Sequence, residues 1–378
     1  MTSTIHSPAT SSGPRRDIRV FGAPLRYIQG PGALEAVGAQ AALAGKTALL
    51  VADAVVLQLV EPRVRASCEA AGVLLGVVEF RGEVTFAEIE RLHGKASELA
   101  PSSVIAAGGG KGIDIGKAVA RSFGVEVISV PTVASNDAPT SKIFVVYDDA
   151  HRLLSVEHMD HNPSAVIVDT TLIACAPRRL LLAGIGDAIS KKFEVAQCCA
   201  AGGANIYGGM GTLAASALAA LCYDMLRANA PAALRAVERQ QPDAALENCV
   251  EAAVLLSGMC FENGGLSIAH AMTRGLTAVR GARDALHGLQ VAYGLLVQLV
   301  LEERDLAFVQ ELVGFYRSIG LPTALADLGV TAPTEAEIQQ IAELTMTAPH
   351  ARNFQRPLDA AQIAAAIHGI EAEQAIAV

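Results

Sequence analysis

Four groups of residues in this 378-residue chain have types and spacings that could do chemistry. The first is the glycine run Gly108 to Gly110, followed by Lys111 and Asp114. Ahead of a helix, such glycines let the backbone approach an anion where free N–H groups and the helix dipole favour phosphate. Lys111 could pair with that phosphate, and Asp114 suits the first helical turn or could hydrogen-bond a ligand. The run is not a Walker loop, because Ile105 stands where the first glycine is needed and Gly112 where Ser or Thr is needed. It is not the GxGxxG fingerprint either, since Ile113 replaces the last glycine. A tight strand-to-helix turn without a ligand is the plain alternative. The second group is Asp53, at the carboxyl end of an apolar run. An acid there binds a ribose 2′-hydroxyl and repels a 2′-phosphate, or it caps the next helix. The third is the loop Pro131 to Ser141, which gathers Thr132, Ser135, Asn136, Asp137, Thr140 and Ser141. So many short polar side chains cap a helix or hold a polyhydroxylated ligand. The fourth is Asp187, His270 and His287, which could form a three-ligand catalytic zinc site or serve as caps and buried polar groups. His270 follows Asp187 by 83 residues and His287 follows His270 by 17, which matches no local metal signature.

These groups must be positioned by regular elements. Val104 to Ala107 has the length of a buried strand and runs into the glycines; apolar spacing then predicts a helix through Phe123, and Val125 to Val130 is a second strand. Strand, glycine turn, helix, strand is a βαβ unit and implies a parallel sheet, with both polar loops at strand carboxyl ends. Upstream, strands are predicted within Phe21–Gly32, Lys46–Asp53 and Val73–Phe80, with helices over Val55–Ala71 and Thr85–Leu99. Thr85 and Glu88 are spaced for a capping box. Lys142–Tyr147 and His151–Val156 alternate as a β-hairpin around Asp148-Asp149-Ala150, and Ala165–Asp169 is a last strand. From about Pro177 the texture is helical, punctuated by paired glycines and by Pro231. The expected domains are a disordered tail over 1–16, an α/β domain over 17–178 and an all-helical domain over 179–378.

Composition excludes several classes. The formal charge of −9 without a basic cluster disfavours a nucleic-acid binder, and the absence of Trp removes the best stacking platform. No apolar run reaches the ~18 residues that span a membrane. The seven cysteines form no CxxC pair and read as free thiols in a reducing cytoplasm.

Taken together, FGAPLRYIQGPGAL at 21–34, VAD at 51–53, GGGKGIDIGKAVA at 108–120, PTVASNDAPTS at 131–141, GIGDAISKKFE at 184–194 and HGLQVAYG at 287–294 are recognisable. The sequence resembles the metal-dependent, iron-containing type alcohol dehydrogenases, in their glycerol dehydrogenase branch, within the dehydroquinate synthase-like fold. The resemblance implies a Rossmann-like parallel sheet followed by an all-helical metal-binding domain. It implies NAD as cofactor, with Asp53 on the adenosine ribose, Gly110, Lys111 and Asp114 on the pyrophosphate, and Thr132, Ser135, Ser141, Ile143 and Tyr147 largely on the nicotinamide side. Asp137 would hydrogen-bond the substrate hydroxyls, and Asp187, His270 and His287 would hold Zn²⁺, with Fe²⁺ the other candidate. The implied reaction is glycerol to dihydroxyacetone or oxidation of a related small diol, in a cytoplasmic homo-oligomer, octameric in many relatives, with no nucleic-acid or membrane partner. The family's His-Ala-x-His-Asn-Gly is His270-Ala271-Met272-Thr273-Arg274-Gly275 here, and its common HGEK is His287-Gly288-Leu289-Gln290. Arg274 near the metal could pair with a substrate carboxylate, so a hydroxycarboxylate is an alternative substrate, as is a butanediol. A lyase of the dehydroquinate synthase type is a further alternative.

Overall fold

The computed structural model describes residues 18–148 and 152–376; the expected tail over 1–16 and the hairpin turn at Asp149-Ala150 lie outside the described residues. The strands are β1 (Tyr27–Gly30), β2 (Thr47–Ala52), β3 (Leu74–Glu79), β4 (Ser103–Gly108), β5 (Glu126–Pro131), β6 (Ile143–Tyr147), β7 (Leu153–His158) and β8 (Ala165–Asp169). Six of them form one parallel sheet in the order β1-β8-β5-β4-β2-β3, and β6 and β7 pair as an antiparallel hairpin. The central strands β4 and β8 are buried along their whole length, as apolar runs covered on both faces must be. One face packs against α1 (Val37–Ala44) and α2 (Ala54–Ala70), the other against α3 (Phe86–Ala96), α4 (Gly110–Phe123) and the hairpin.

The chain moves outward from β2 to β3, then crosses back over β2 to β4 and continues to β5 on the other side. The topological switch point therefore lies between the carboxyl ends of β2 and β4, where Asp53 and Gly108 sit. Open α/β sheets bind ligands at that crevice. Glycines bring α4 close over β4. A Cβ on Gly112 would lie 2.6 Å from the Ala107 carbonyl oxygen, and one on Gly116 would lie 2.2 Å from the Ala106 Cβ.

No named strand follows Asp169 among the described residues. The helical half comprises α5 (Thr170–Cys175), α6 (Arg178–Ile189), α7 (Lys191–Ala200), α8 (Leu213–Glu238), α9 (Ala244–Val250), α10 (Ser257–Gly264), α11 (Ile268–Leu276), α12 (His287–Leu301), α13 (Leu306–Ile319), α14 (Glu335–Met346) and α15 (Ala360–Ile376). Its core reaches Val166 and Val168 of β8, so the two halves share an apolar seam. Pro231, expected to interrupt a helix, lies inside α8, which continues because Leu226, Ala230, Ala233 and Leu234 bury one face across it. At Thr85 only half of the capping box forms. Thr85 accepts the Glu88 amide, but Glu88 turns to the Arg81 amide and guanidinium Arg91 instead. A π-helical segment, Glu251–Leu256, joins α9 to α10. Against the expectation that no apolar run is long enough, the helical run Ala244–Gly264 is long and apolar enough to cross a membrane, yet 61% of its apolar window is buried in the protein. All seven cysteines are unpaired.

Candidate active site

One end of the site is the switch point. Asp53 caps α2, its Oδ1 accepting the Val55 and Val56 amides at 2.9 and 3.0 Å. The capping role is thus present, and it uses one carboxylate oxygen. Gly108 takes φ +139°, a backbone region that favours glycine, and Gly109 caps α4 without a side-chain oxygen. The first-turn N–H groups of α4 are therefore left for a ligand, which fits a pyrophosphate. Lys111 is ion-paired with Glu83 at 2.7 Å. The Asp114 carboxylate accepts the Val145 amide, and burial pushes its pKa up to about 6. Burial, with Asp114 and Glu83 nearby, pushes the Tyr147 phenol up to about 12. Thr132 donates its amide to Gly108 O, which ties the polar loop to the glycine turn. Ser135 is half-buried, and Ile143 opens β6. The Ser141 hydroxyl is buried against Lys117, whose ammonium also donates to Ala138 O and Ile143 O. Lys117 thus clamps the loop from behind.

The other end is made by helices. Asp187 in α6, His270 in α11 and His287 at the start of α12 each offer a ligand atom, all within 4.8 Å of one another. His270 Nδ1 lies 2.6 Å from Glu194 Oε2 on α7. That bond directs Nδ1–H to the carboxylate and leaves Nε2 for coordination. Glu194 Oε1 also accepts the amides of Ser267 and His270, fixing the start of α11. Asp187 Oδ2 is buried with no hydrogen-bond partner. An orphaned carboxylate oxygen beside two imidazoles fits a divalent cation, and Asp plus two His accepts either zinc or iron. Burial opposes the charge of Asp187, but Lys191 and His270 outweigh it and hold the carboxyl far below its usual range. Burial likewise opposes ionisation of Glu194, yet His270 and Lys191 bring it down to about 2. His270 is desolvated too, but the Glu194 carboxylate leads the groups that hold it up at about 9.

Asp137 joins the two ends. Its Oδ2 accepts the Ser257 hydroxyl at 3.0 Å and pairs with Lys191 at 3.1 Å, and Lys191 in turn bonds Asp187 Oδ1 at 2.8 Å. The loop is docked by Thr140, whose hydroxyl donates to Val254 O in the π-helical segment. Gly258 makes that approach possible, because a Cβ there would lie 1.8 Å from Thr140 Oγ1. Lys191, Glu194, Ser257 and Lys117 were not singled out from sequence. Asp187, Lys191 and Glu194 fall at i, i+4 and i+7, one helical face, and that spacing was the available signal.

The Arg274 guanidinium is exposed and donates to Thr347 O. The cation in contact with Asp137 and Asp187 is Lys191. Thr273 bonds its own helix at His270 O, and Gln290 is buried, donating to Ala282 O. These departures are absorbed by the scaffold.

The switch-point crevice and the Asp-His-His cluster offer what a nucleotide and a divalent ion would each need. Residues 24–170 match the family model described as iron-containing alcohol dehydrogenase. The chain is 40% identical to glycolaldehyde reductase of Halobacterium salinarum, with 86% of this chain and 89% of that protein covered. It is also 40% identical to glycerol dehydrogenase of Pseudomonas putida, with the same 86% and 89% covered. The solved glycerol dehydrogenase of Schizosaccharomyces pombe superposes with a TM-score of 0.92 at 32% identity, covering 97% of this chain and 93% of that one. The chain belongs to the iron-containing alcohol dehydrogenase family.

Proposed function

We propose that this protein oxidises a small vicinal diol, glycerol to dihydroxyacetone first, using NAD and a divalent ion held by Asp187, His270 and His287. Zinc is the first choice of ion. The observation that carries the reading is Asp137: its loop leaves the sheet beside the glycine turn, and one lysine links it to Asp187. A diol held there would lie between the residues assigned to the cofactor and those assigned to the ion. When bound, the ion supplies Lewis acidity toward the substrate hydroxyl, and the nicotinamide accepts the hydride. The chain does the rest. Glu194 keeps His270 in the tautomer that presents Nε2, and Asp187 presents its unpartnered oxygen. Asp137 accepts a hydrogen bond from a substrate hydroxyl and so orients the carbon that loses the hydride. Gly110, Lys111 and Asp114 line the pyrophosphate, Asp53 the ribose, and Thr132, Ser135, Ser141, Ile143 and Tyr147 the nicotinamide side. This assigns cofactor binding to residues 17–178 and metal binding to residues 179–378. A homo-oligomer belongs to the same reading, since α8 leaves Leu213 and Leu221 exposed.

The similarity to a glycolaldehyde reductase favours one second reading: reduction of a small hydroxyaldehyde at the same site. The test is a substrate panel on metal-stripped protein with and without added zinc. Glycerol, 1,2-propanediol, 2,3-butanediol, glycolaldehyde in the reductive direction and 2-hydroxy acids are each run with both nicotinamide cofactors. Glycerol with NAD and zinc should turn over fastest. Turnover that survives exhaustive metal removal would sink the metal assignment, and a preference for hydroxy acids would sink the diol.

A further inference from the structure

The Lys191 ammonium sits where the metal's electrostatic role is needed. It is fully buried at the first position of α7. Its Nζ lies 2.8 Å from Asp187 Oδ1, 3.1 Å from Asp137 Oδ2 and 3.0 Å from His270 Nε2. The third contact matters most. His270 Nδ1 is engaged by Glu194 at 2.6 Å, so Nε2 is the only ring nitrogen left to coordinate an ion. That nitrogen also faces Asp187 Oδ1 at 3.1 Å. An ion can reach it only after the Lys191 ammonium has withdrawn, because two cations in so small a buried space repel strongly.

We propose that Lys191 is a built-in competitor for the divalent ion. Its ammonium neutralises Asp137 and Asp187 in the metal-free protein, and it must leave His270 Nε2 before an ion can bind. The lysine stem is long and flexible, and the Asp137 carboxylate is an anchor for the ammonium that does not involve His270. Once displaced it remains a buried positive charge close to the ion, in surroundings where like charges repel strongly. Lys191 therefore weakens metal affinity and makes the ion exchangeable, while keeping the empty site folded and charge-balanced.

This rests on the metal reading above, and the experiment separates the two. The full-length protein, its Lys191→Met and Lys191→Thr variants and His270→Ala are stripped of metal. Each is titrated with zinc against a chromophoric chelator, and each is melted with and without zinc. Both Lys191 variants should bind one zinc per chain at least tenfold more tightly than the parent. Their metal-free forms should melt lower, with a larger upward shift on adding zinc. Equal or weaker zinc affinity in both Lys191 variants, with one zinc still bound by the parent and none by His270→Ala, overturns the role of Lys191 alone. No zinc bound by any of the four proteins overturns the metal reading and this inference with it.

Discussion

The two ends of the site are built in opposite ways. The end proposed for the cofactor is backbone: a glycine turn with φ +139° at Gly108, an uncapped helix start at Gly110 and a loop tied to it by a main-chain hydrogen bond. All of it comes from neighbouring stretches of chain. The end proposed for the ion is side chain: Asp187, Lys191, Glu194, His270 and His287 reach one point from four helices, and the first three are wholly or almost wholly buried. Backbone sites tolerate changes in side-chain identity but not an added Cβ. Buried charge clusters are the reverse, because removing one member strands the others in a low-dielectric interior.

The largest effect should therefore come from the metal end. His270→Ala should lower kcat/KM for the diol by about 10³-fold or more, because a ligand and the partner of Glu194 are lost together. Binding of NADH, followed by its fluorescence, should stay within a few-fold of the parent. A variant that loses NADH binding equally would break the division into two independent ends.

The seam between the ends offers a second test. Glu262 on α10 accepts the Lys142 amide at 2.6 Å and Asn162 Nδ2 at 2.5 Å, joining hairpin, loop and helical half. Burial pushes its pKa from 4.5 up to about 7 in the folded protein. The folded state therefore holds a proton that the unfolded chain releases between those values. The contribution is fully present below about pH 4.5 and is lost as pH rises through about 7. Its span is up to about 3 kcal/mol. Denaturant titrations across that window should show a falling stability in the parent, and Glu262→Gln should remove that part of the slope. An unchanged slope would mean that Glu262 is ionised throughout.

How much of this the sequence displays follows the same division. The strands Val104–Ala107, Val125–Val130 and Ala165–Asp169 are legible because strands buried on both faces read as continuous apolar runs. The last coincides with β8, and the others fall within a residue or two of β4 and β5. The glycine turn and polar loop are legible because their parts are contiguous. Asp187, His270 and His287 are not legible as a set, since separations of 83 and 17 residues carry no local metal pattern and only family resemblance joins them. Lys191 and Glu194 escape for a physical reason: charged residues default to the surface, and burial becomes possible only when partners distant in sequence neutralise them. The π-helical segment reads as ordinary helix in EAAVLL, so the docking of Thr140 and the placement of Ser257 cannot be read from the chain. Pro231 misleads because tertiary burial along α8 outweighs its local cost.

Glu194 sharpens the comparison on a smaller scale. It meets the proposed ligands through His270, and its carboxylate also holds the Ser267 amide and the Ser190 hydroxyl. Glu194→Gln keeps the shape and the possibility of a hydrogen bond to the ring, while losing the negative charge that favours Nδ1–H. Zinc affinity and kcat/KM should both fall by about 10- to 100-fold, with KM for NAD unchanged. If the loss appeared as thermal stability alone, with zinc affinity intact, Glu194 would be a helix anchor and not a positioning residue.

The smallest effect tests whether the cofactor end is as dependent on backbone as it looks. Asp53 does two things in principle: its Oδ1 caps α2, and its charge faces the place assigned to the ribose. Two substitutions separate them. Asp53→Ser keeps a capping oxygen and removes the charge, so stability should stay nearly constant while the preference for NAD over NADP narrows. Asp53→Ala removes both, and should add a loss of about 1 kcal/mol in unfolding free energy from the missing cap. The cofactor preference of the two variants should be the same, because charge alone excludes a 2′-phosphate. If Asp53→Ser retains the full preference for NAD, the residue is a cap only, and the backbone at the switch point selects the cofactor without it.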